Sequence, residues 1–392
     1  MEMKKPMNFL LFLLFLFFSP STGSSIYNVV SLGARPNIRT DSAHAFLQAW
    51  AMACGSANPA TIYVPPGQYY LGQAHFVGNC RNTDITIQID GTLVAPANYR
   101  VVGNAGSWIM FEGVVGVSIY GGTIDGQGSG FWACKASGNT CPDGATNLGF
   151  TNSKNIVING LKSLNSQMFH IVIDRCENVN IQKVMVMAPG NSPNTDGIHV
   201  EMSTDVTISG ANIRTGDDCI SIGPGTSNLW IESIACGPGH GISIGSLGWN
   251  LKEPGVQNVT VKTVTFSGSQ NGFRIKSWAR PSYGFVKGVL FQDGIMENVN
   301  NPIIIDQNYC PHGEDCPGQV SGVKISEVTY KNIHGTSATE VAMKFDCSSQ
   351  NPCSGIELED VNLTYQNQIA TSSCTNAVGY AHGLIQPSSC LK

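Results

Sequence analysis

Charged residues are scarce in this chain, and the scarcity limits the classes of protein to which it can belong. Asp, Glu, Lys and Arg make up 12% of the 392 residues, about half of the usual share. A basic excess is missing too, because 27 acidic residues outnumber 22 basic ones and the formal net charge is −5. A nucleic-acid-binding protein normally carries a basic surface, so we expect no nucleic acid partner. With 42% hydrophobic residues, the chain also lacks the composition of a disordered protein.

Helical periodicity is absent from most of the sequence. It occurs over residues 41–54, where Asp41 can cap the first turn and apolar residues recur at the spacing of one helix face: Ala43, Phe46, Leu47, Trp50 and Cys54. We therefore predict one short helix near the amino terminus and little helix after it.

A long apolar run occurs only at the amino terminus. Lys4 and Lys5 precede an uninterrupted apolar segment at 9–18, and small or turn-forming residues follow at 19–23. This order is typical of an export signal, whose apolar part is too short to span a bilayer. We expect residues 1–23 to be a signal peptide and residues 24–392 to form one secreted, soluble domain. A retained signal anchor is the alternative.

Metal-binding cysteine pairs are also missing, because the 13 cysteines include no Cys-x-x-Cys motif. In an exported chain, cysteines more often form disulfides than bind zinc. Spacing does not fix connectivity, but pairing neighbours leaves Cys176 as a buried free thiol in an apolar run. The six neighbour pairs are Cys54–Cys80, Cys134–Cys141, Cys219–Cys236, Cys310–Cys316, Cys347–Cys353 and Cys374–Cys390. Sequons at Asn258 and Asn362 are compatible with glycosylation of an outer surface.

A short strand pattern recurs along the rest of the chain, with apolar residues at its second and fourth positions. Its copies begin at Asp84, Gly116, Asn155, Asn178, Asp205, Asn228, Asn258, Gly288, Gly322 and Gly355. From Asn155 onward the starts are 23, 27, 23, 30, 30, 34 and 33 residues apart. Repeats of this length indicate a solenoid, propeller or array, and the shorter ones cannot hold the four strands of a propeller blade. We therefore predict an all-β parallel β-helix whose open end is covered by the helix at 41–54.

Four polar clusters interrupt this pattern: Asn194-Thr195-Asp196-Gly197, Gly216-Asp217-Asp218-Cys219, Gly239-His240-Gly241 and Arg274-Ile275-Lys276. Taken singly, the Asn, Asp and Gly clusters could simply form turns. However, Asp196 and Asp218 are 22 residues apart, as are Asp218 and His240, so winding with that period brings them together on successive coils. Crowding raises the pKa of at least one carboxyl, and a protonated acid beside an ionised base can hydrolyse a glycosidic bond.

In residues and order, these clusters resemble the four signature blocks of polygalacturonases, the pectin-degrading enzymes of glycoside hydrolase family 28. The resemblance extends to Cys219 and to Tyr309 in the segment 303–310. It implies a single right-handed parallel β-helix and inverting hydrolysis of α-1,4-galacturonosidic bonds in polygalacturonate, without metal or cofactor. The chain looks more like the plant pollen-type exo enzymes, so we expect exo rather than endo action by a monomer in the cell wall.

The resemblance also implies roles for the four catalytic candidates. Asp217 corresponds to the general acid, while Asp196 and Asp218 correspond to the pair that positions and deprotonates the attacking water. His240 corresponds to the residue that keeps the proton of the acid in place. The residues do not settle which of Asp217 and Asp218 is the acid. Inversion predicts carboxyl separations of about 6.5–9.5 Å, which leave space for the water.

The same resemblance implies four substrate-side residues. Arg274 and Lys276 correspond to contacts with galacturonate carboxylates, which suit a forked guanidinium and an ammonium. Tyr309 corresponds to a substrate-side tyrosine, and Asn194 orients the turn that carries Asp196. Four other side chains are left outside the predicted site because packing or solvent exposure accounts for them equally well: His170, His199, Trp132 and Trp278.

Three other functions use the same scaffold. A pectate lyase would bind calcium with the acidic residues and use an arginine as base, whereas His240 with Arg274 and Lys276 favours hydrolysis. A hydrolase of a branched pectin such as rhamnogalacturonan is the second alternative, and two cations instead favour a chain with acid groups on both sides of the cut. The third is a solenoid that binds the cell wall without cleaving it.

Overall fold

The computed structural model describes residues 2, 23–311 and 313–392. Except for residues 2 and 23, the predicted signal peptide therefore lies outside the described residues. Strands make up 52% of the described residues and helices 6%, which confirms the predicted all-β class. None of the described helices combines the length and the hydropathy needed to cross a membrane.

The described elements are numbered in chain order. The strands of the first half are β1 (Ser25–Asn28), β2 (Ala60–Val64), β3 (Gln68–Tyr70), β4 (Ala74–Val77), β5 (Ile85–Ile89), β6 (Thr92–Val94), β7 (Ser107–Glu112), β8 (Val115–Tyr120), β9 (Thr123–Asp125), β10 (Thr146–Thr151), β11 (Lys154–Asn159), β12 (Lys162–Leu164), β13 (Ile171–Asp174), β14 (Glu177–Gln182) and β15 (Met185–Met187). Those of the second half are β16 (Ile198–Glu201), β17 (Thr204–Ser209), β18 (Asn212–Arg214), β19 (Ile220–Ile222), β20 (Ser227–Cys236), β21 (Ile242–Leu247), β22 (Val256–Ser267), β23 (Asn271–Trp278), β24 (Phe285–Val299), β25 (Asn301–Tyr309), β26 (Lys324–Ser337), β27 (Val341–Asp346), β28 (Cys353–Tyr365), β29 (Gln368–Ile369), β30 (Thr371–Thr375) and β31 (Ala377–Gln386). The helices are α1 (Ala43–Gly55) and α2 (Ser129–Ala136).

Two sheets wind around one apolar core. Within the described residues, the smaller sheet has eleven strands in the order β4, β7, β10, β13, β16, β19, β21, β23, β25, β27 and β30, and the other twenty strands form the larger sheet. The described strand pairs are parallel except for β28 with β29. Because each coil adds one strand to the smaller sheet, the chain forms the predicted right-handed parallel β-helix.

The strand pairing confirms the predicted repeat up to Gly288. The second residues of successive copies pair in register: Ile85, Val117, Ile156, Val179, Val206, Leu229, Val259 and Val289. The next copy was predicted to begin at Gly322, and this is wrong. Val289 pairs with Val328, so the copy begins at Glu327. Val328 pairs in turn with Ile356, as the predicted start at Gly355 requires.

The first position of each copy from Gly116 onward has a left-handed backbone, which explains its residue type. The φ angles are 57° at Asn155, 56° at Asn178 and 53° at Asn228, and glycine takes the position at Gly116 with 69°. Asn, Asp and Gly adopt this conformation at the lowest cost. Neighbouring asparagines also bond along the stack, since Asn178 Nδ2 donates to Asn155 Oδ1 at 2.8 Å.

Helix α1 covers the amino-terminal end of the core, as predicted. Its buried face is Ala45, Phe46, Ala49, Trp50 and Ala53, whereas Leu47, which was expected to be buried, is exposed. The N-cap is Ser42 rather than Asp41. Asp41 nevertheless accepts the Ala43 N–H at 2.9 Å. The short helix α2 was not predicted, because its eight residues are too few to show a helical period.

Rows of stacked aromatic rings fill part of the interior. Phe111 lies between Phe76 and Phe150, with ring centroids 4.7 Å away on both sides. The stacking follows from the register, which pairs Phe76 with Phe111 and Phe111 with Phe150 on adjacent coils.

The six predicted disulfides are all formed. Cys54–Cys80 attaches the end of α1 to the first coils. Cys219–Cys236 lies in the core beside the strand that follows Asp217 and Asp218. Cys176 is a buried free thiol, as predicted, and burial raises its pKa to about 11.

Candidate active site

Three of the polar clusters directly precede strands β16, β19 and β21 of the smaller sheet, and the fourth, Arg274-Ile275-Lys276, lies within β23. Ile198, Ile220 and Ile242 pair in register, so the residues two positions before them, Asp196, Asp218 and His240, lie on three successive coils. The predicted winding therefore brings these side chains together. Gly216 is needed for this arrangement because a Cβ there would lie 2.1 Å from the Ser192 carbonyl oxygen.

Asp218 lies at the centre of the site and is fully buried. It accepts hydrogen bonds from Ser243 Oγ at 2.9 Å, Arg274 Nη2 at 2.5 Å and Lys276 Nζ at 2.8 Å. Burial alone raises the pKa of this carboxyl, but the charges of Arg274 and then Lys276 outweigh burial and bring the pKa down to about 2. Asp218 is thus held as a carboxylate.

Asp196 has the opposite electrostatic environment. It is 6% exposed, and its pKa is raised well above the ordinary value, first by burial and then by the charges of Asp217 and Asp218. Lys276 and a hydrogen bond with Ser221 oppose this rise only in part. The pKa values of two neighbouring aspartates are therefore shifted in opposite directions, and crowding of carboxylates contributes to the rise at Asp196.

Asp217 and His240 form a pair at the mouth of the site. His240 Nδ1 lies 3.0 Å from Asp217 Oδ1. The backbone N–H of His240 also donates to the backbone carbonyl oxygen of Asp217 at 2.8 Å. Both side chains are partly exposed, at 36% and 18%. This pair can therefore reach a ligand in the cleft while the backbone bond fixes its geometry.

Arg274 and Lys276 are more buried and more fully ion-paired than the sequence suggests. Arg274 and Lys276 are 8% and 7% exposed, and both are ion-paired with Asp218. Lys276 still lines the cleft, with Nζ 5.1 Å from the ring centroid of Tyr309. The guanidinium of Arg274 also donates from Nε to Ser243 Oγ at 2.8 Å. Both cations therefore bind a carboxylate of the site itself, that of Asp218.

The cleft has a volume of about 280 Å³ and is open to the surface. Predicted residues on its wall are Asn194, Asp196, Asp217, Lys276 and Tyr309. Asn194 has a left-handed backbone with φ 53°, as expected for a residue that shapes the Asp196 turn.

The sequence reasoning missed a second group on the same wall. His199 Nδ1 lies 2.7 Å from Ser221 Oγ and its Nε2 lies 3.6 Å from Glu201 Oε2. Its ring packs on Phe169 with centroids 5.1 Å apart. The signal was present, because His199 and Ser221 are separated by the same 22 residues as Asp196 and Asp218 and pair in register.

The other residues left outside the predicted site have core or loop contacts. His170 is fully buried, with Nδ1 2.9 Å from Ser163 Oγ. Burial lowers its pKa to about 3. Its Nε2 has no partner among the described residues, so the core position is confirmed, although only one ring nitrogen is satisfied. Trp132 donates from Nε1 to the Gln167 carbonyl at 3.2 Å.

Two described groups could offer three ligands to a metal ion. The first is Asp217, Asp218 and His240, and the second is Glu357, Glu359 and His382 on the larger sheet. In the first group, Asp218 is already neutralised by two cations, which compete with a divalent ion for its oxygens. The donor set therefore suits acid–base chemistry better than ion binding.

A parallel β-helix with clustered carboxylates, an imidazole and cations on one outer face is typical of carbohydrate-cleaving enzymes. The profile described as glycosyl hydrolases family 28 matches residues 54–390, and the chain belongs to this family. It is therefore a glycoside hydrolase of the polygalacturonase family.

Relatives with known names cover nearly the whole chain. The chain is 64% identical over 386 residues to a polygalacturonase of Prunus persica, with 98% of each chain covered. It is 44% identical over 361 residues to an exopolygalacturonase of Platanus acerifolia, covering 91% of this chain and 95% of the relative. Among solved structures, the endo-xylogalacturonan hydrolase from Aspergillus tubingensis matches with a TM-score of 0.79 at 24% identity, over 92% of this chain and 100% of that one. This last likeness confirms the fold.

Proposed function

We propose that the chain hydrolyses α-1,4-galacturonosidic bonds in polygalacturonate with inversion of configuration, acting from a chain end. The main support is the arrangement around Asp217, which His240 holds in place. It lies beside Asp196 and Asp218, whose pKa values are shifted in opposite directions. The names of relatives that cover almost all of the chain support the same substrate.

In the proposed reaction, Asp217 protonates the glycosidic oxygen and His240 holds that proton in position. Asp218 remains ionised because of its two cations and, together with Asp196, orients and deprotonates the water. Lys276 attracts a galacturonate carboxylate beside Tyr309. The raised pKa of Asp196 favours a second assignment, in which Asp196 is the acid and Asp217 the base.

Asp217→Asn and Asp196→Asn proteins test both the activity and the assignment. We expect either change to lower kcat by at least about 10²-fold, the usual contribution of a general acid or base. The variant that lacks the general acid should regain activity on an aryl galacturonide with an easily displaced leaving group. Such a group leaves without being protonated. Recovery of Asp196→Asn alone would establish the second assignment. A folded Asp217→Asn protein that cleaves polygalacturonate at the parent rate would refute the proposed function.

Exo action is supported by the exopolygalacturonase relative. Viscosity followed together with reducing-end release distinguishes the two modes. We expect slow viscosity loss per bond cut, whereas rapid loss after few cuts would indicate endo action.

We further propose that residues 24–392 act as a single secreted, monomeric catalytic domain in the cell wall. Six disulfides and a sequence family of plant polygalacturonases support this location.

A further inference from the structure

A continuous row of rings and cations runs outward from the catalytic cleft. Lys276 Nζ lies over the ring of Tyr309 at 5.1 Å. The Tyr309 ring meets the edge of Trp278 with centroids 5.2 Å apart, and Trp278 meets Trp249 at 5.0 Å. The row ends with the guanidinium of Arg280, which lies 4.4 Å from the centroid of Trp249.

The outer end of this row is exposed yet held in place. Trp249 is 52% exposed, although burying such a ring would be favourable. The loop is held in place on both sides of Trp249. Glu253 accepts hydrogen bonds from the backbone N–H groups of Gly248 and Asn250, and Ser282 Oγ donates to the Asn250 carbonyl at 3.0 Å. A rigid, exposed aromatic ring loses little conformational entropy when a ligand covers it.

Arg280 adds a charge to this ring. No described carboxylate lies within salt-bridge distance of Arg280, in contrast to Arg274 and Lys276, which are both paired with Asp218. A guanidinium with unused donors suits a planar carboxylate. A sugar ring with one apolar face and one carboxylate matches a tryptophan beside such a group.

We propose that Trp249 and Arg280, backed by Trp278, form a distal subsite that binds one galacturonate unit of the polysaccharide beyond Tyr309. The sugar packs on the exposed part of Trp249 that Arg280 leaves uncovered, and its carboxylate pairs with the Arg280 guanidinium at the edge of the ring. This inference rests on the proposed function, because it concerns the same substrate. It predicts that the subsite serves long chains and is left empty by the shortest substrates.

The test is a comparison of kcat/KM over galacturonate oligomers from two to eight units and the polymer, for Trp249→Ala and Arg280→Gln proteins. We expect kcat/KM on the polymer to fall about tenfold, the effect of losing one partly buried ring contact. The shortest cleaved oligomer should be affected less than about twofold. Trp230→Ala is the matched control, because Trp230 is 40% exposed and lies 4.5 Å from Lys262 Nζ, but it belongs to the larger sheet.

An equal loss on short and long substrates, or no loss on either, would overturn the subsite. If Trp249→Ala does not fold, Arg280→Gln and Trp249→Phe carry the same comparison. Binding of polygalacturonate to Asp217→Asn proteins with and without Trp249→Ala, followed by affinity electrophoresis, provides a readout without turnover. If the parent protein releases no reducing ends from any galacturonan, the proposed function fails, whereas the subsite alone fails if the parent is active and Trp249→Ala matches it throughout.

Discussion

Asp218 shows how far single residues could be predicted. Its distance along the chain from Asp196 and His240 was enough to place the three on successive coils, because a regular winding converts spacing into proximity. Its pairing with Arg274 and Lys276 was not predictable, since it depends on side-chain directions across a longer coil. His199 was left out although it has the same spacing from Ser221, because a residue three positions after Asp196 could equally well pack or face solvent.

Replacement of Lys276 by methionine should move the acid side of the pH–activity profile to higher pH. Lys276 lowers the pKa of both Asp218 and Asp196, so both pKa values rise when the charge is removed. An ionised base is then lost at a higher pH, and activity falls earlier as the solution is acidified. The measurement is kcat against pH on polygalacturonate.

Lys344→Met is the control for this change, because Lys344 is an exposed cation two strands farther along the same sheet. It should leave the profile in place. A Lys276→Met protein with lower kcat but an unshifted acid limb would show that the lysine acts on substrate only.

At the scale of strands and turns, the sequence reveals more than at the scale of side chains. Residues with a left-handed backbone mark the start of each copy from Gly116 onward, so Asn, Asp and Gly reveal most of the period directly. The one misplaced copy has a physical reason. Glu327 takes the left-handed position with φ 55°, and Gly322, which matches the pattern better by residue type, lies in the loop before β26.

The stacked rings inside the coils should make a large contribution to stability. Phe111 is 1% exposed and packs between two other rings. We expect Phe111→Ala to lower the free energy of unfolding by about 3–5 kcal/mol. Guanidinium denaturation followed by tryptophan fluorescence measures this change.

Tyr120→Ala is a suitable comparison, because Tyr120 lies on the neighbouring strand β8 and is 37% exposed. Its effect should stay within about 0.5 kcal/mol. Equal effects of the two changes would contradict a stabilising role for the ring stack.

The whole molecule depends on a covered amino-terminal end. Helix α1 packs over the first coils and Cys54–Cys80 holds it there across 26 residues. Loss of this bond in a Cys54→Ser/Cys80→Ser protein should lower stability by about 3.5 kcal/mol, from the loop entropy released in the unfolded chain. The lower Tm should be accompanied by aggregation, because the end of the parallel sheet would open more often.

Removal of Cys310–Cys316 provides the contrast, because its sequence separation is only six residues. The same loop argument gives about 2.2 kcal/mol, without exposure of the covered end. Differential scanning calorimetry of the two double variants tests the ranking. A larger loss from the short loop would show that the amino-terminal bond has little effect on unfolding.

The distribution of Asp196, Asp218, His240 and Lys276 over separate coils has one more consequence. No contiguous fragment shorter than the segment from Asp196 to Lys276 contains the complete set, so a protease that cuts between β19 and β21 produces two pieces with incomplete chemistry. Enzymatic activity would then return only if the pieces re-associate across the break. Limited proteolysis can therefore inactivate such an enzyme without removing a single catalytic residue.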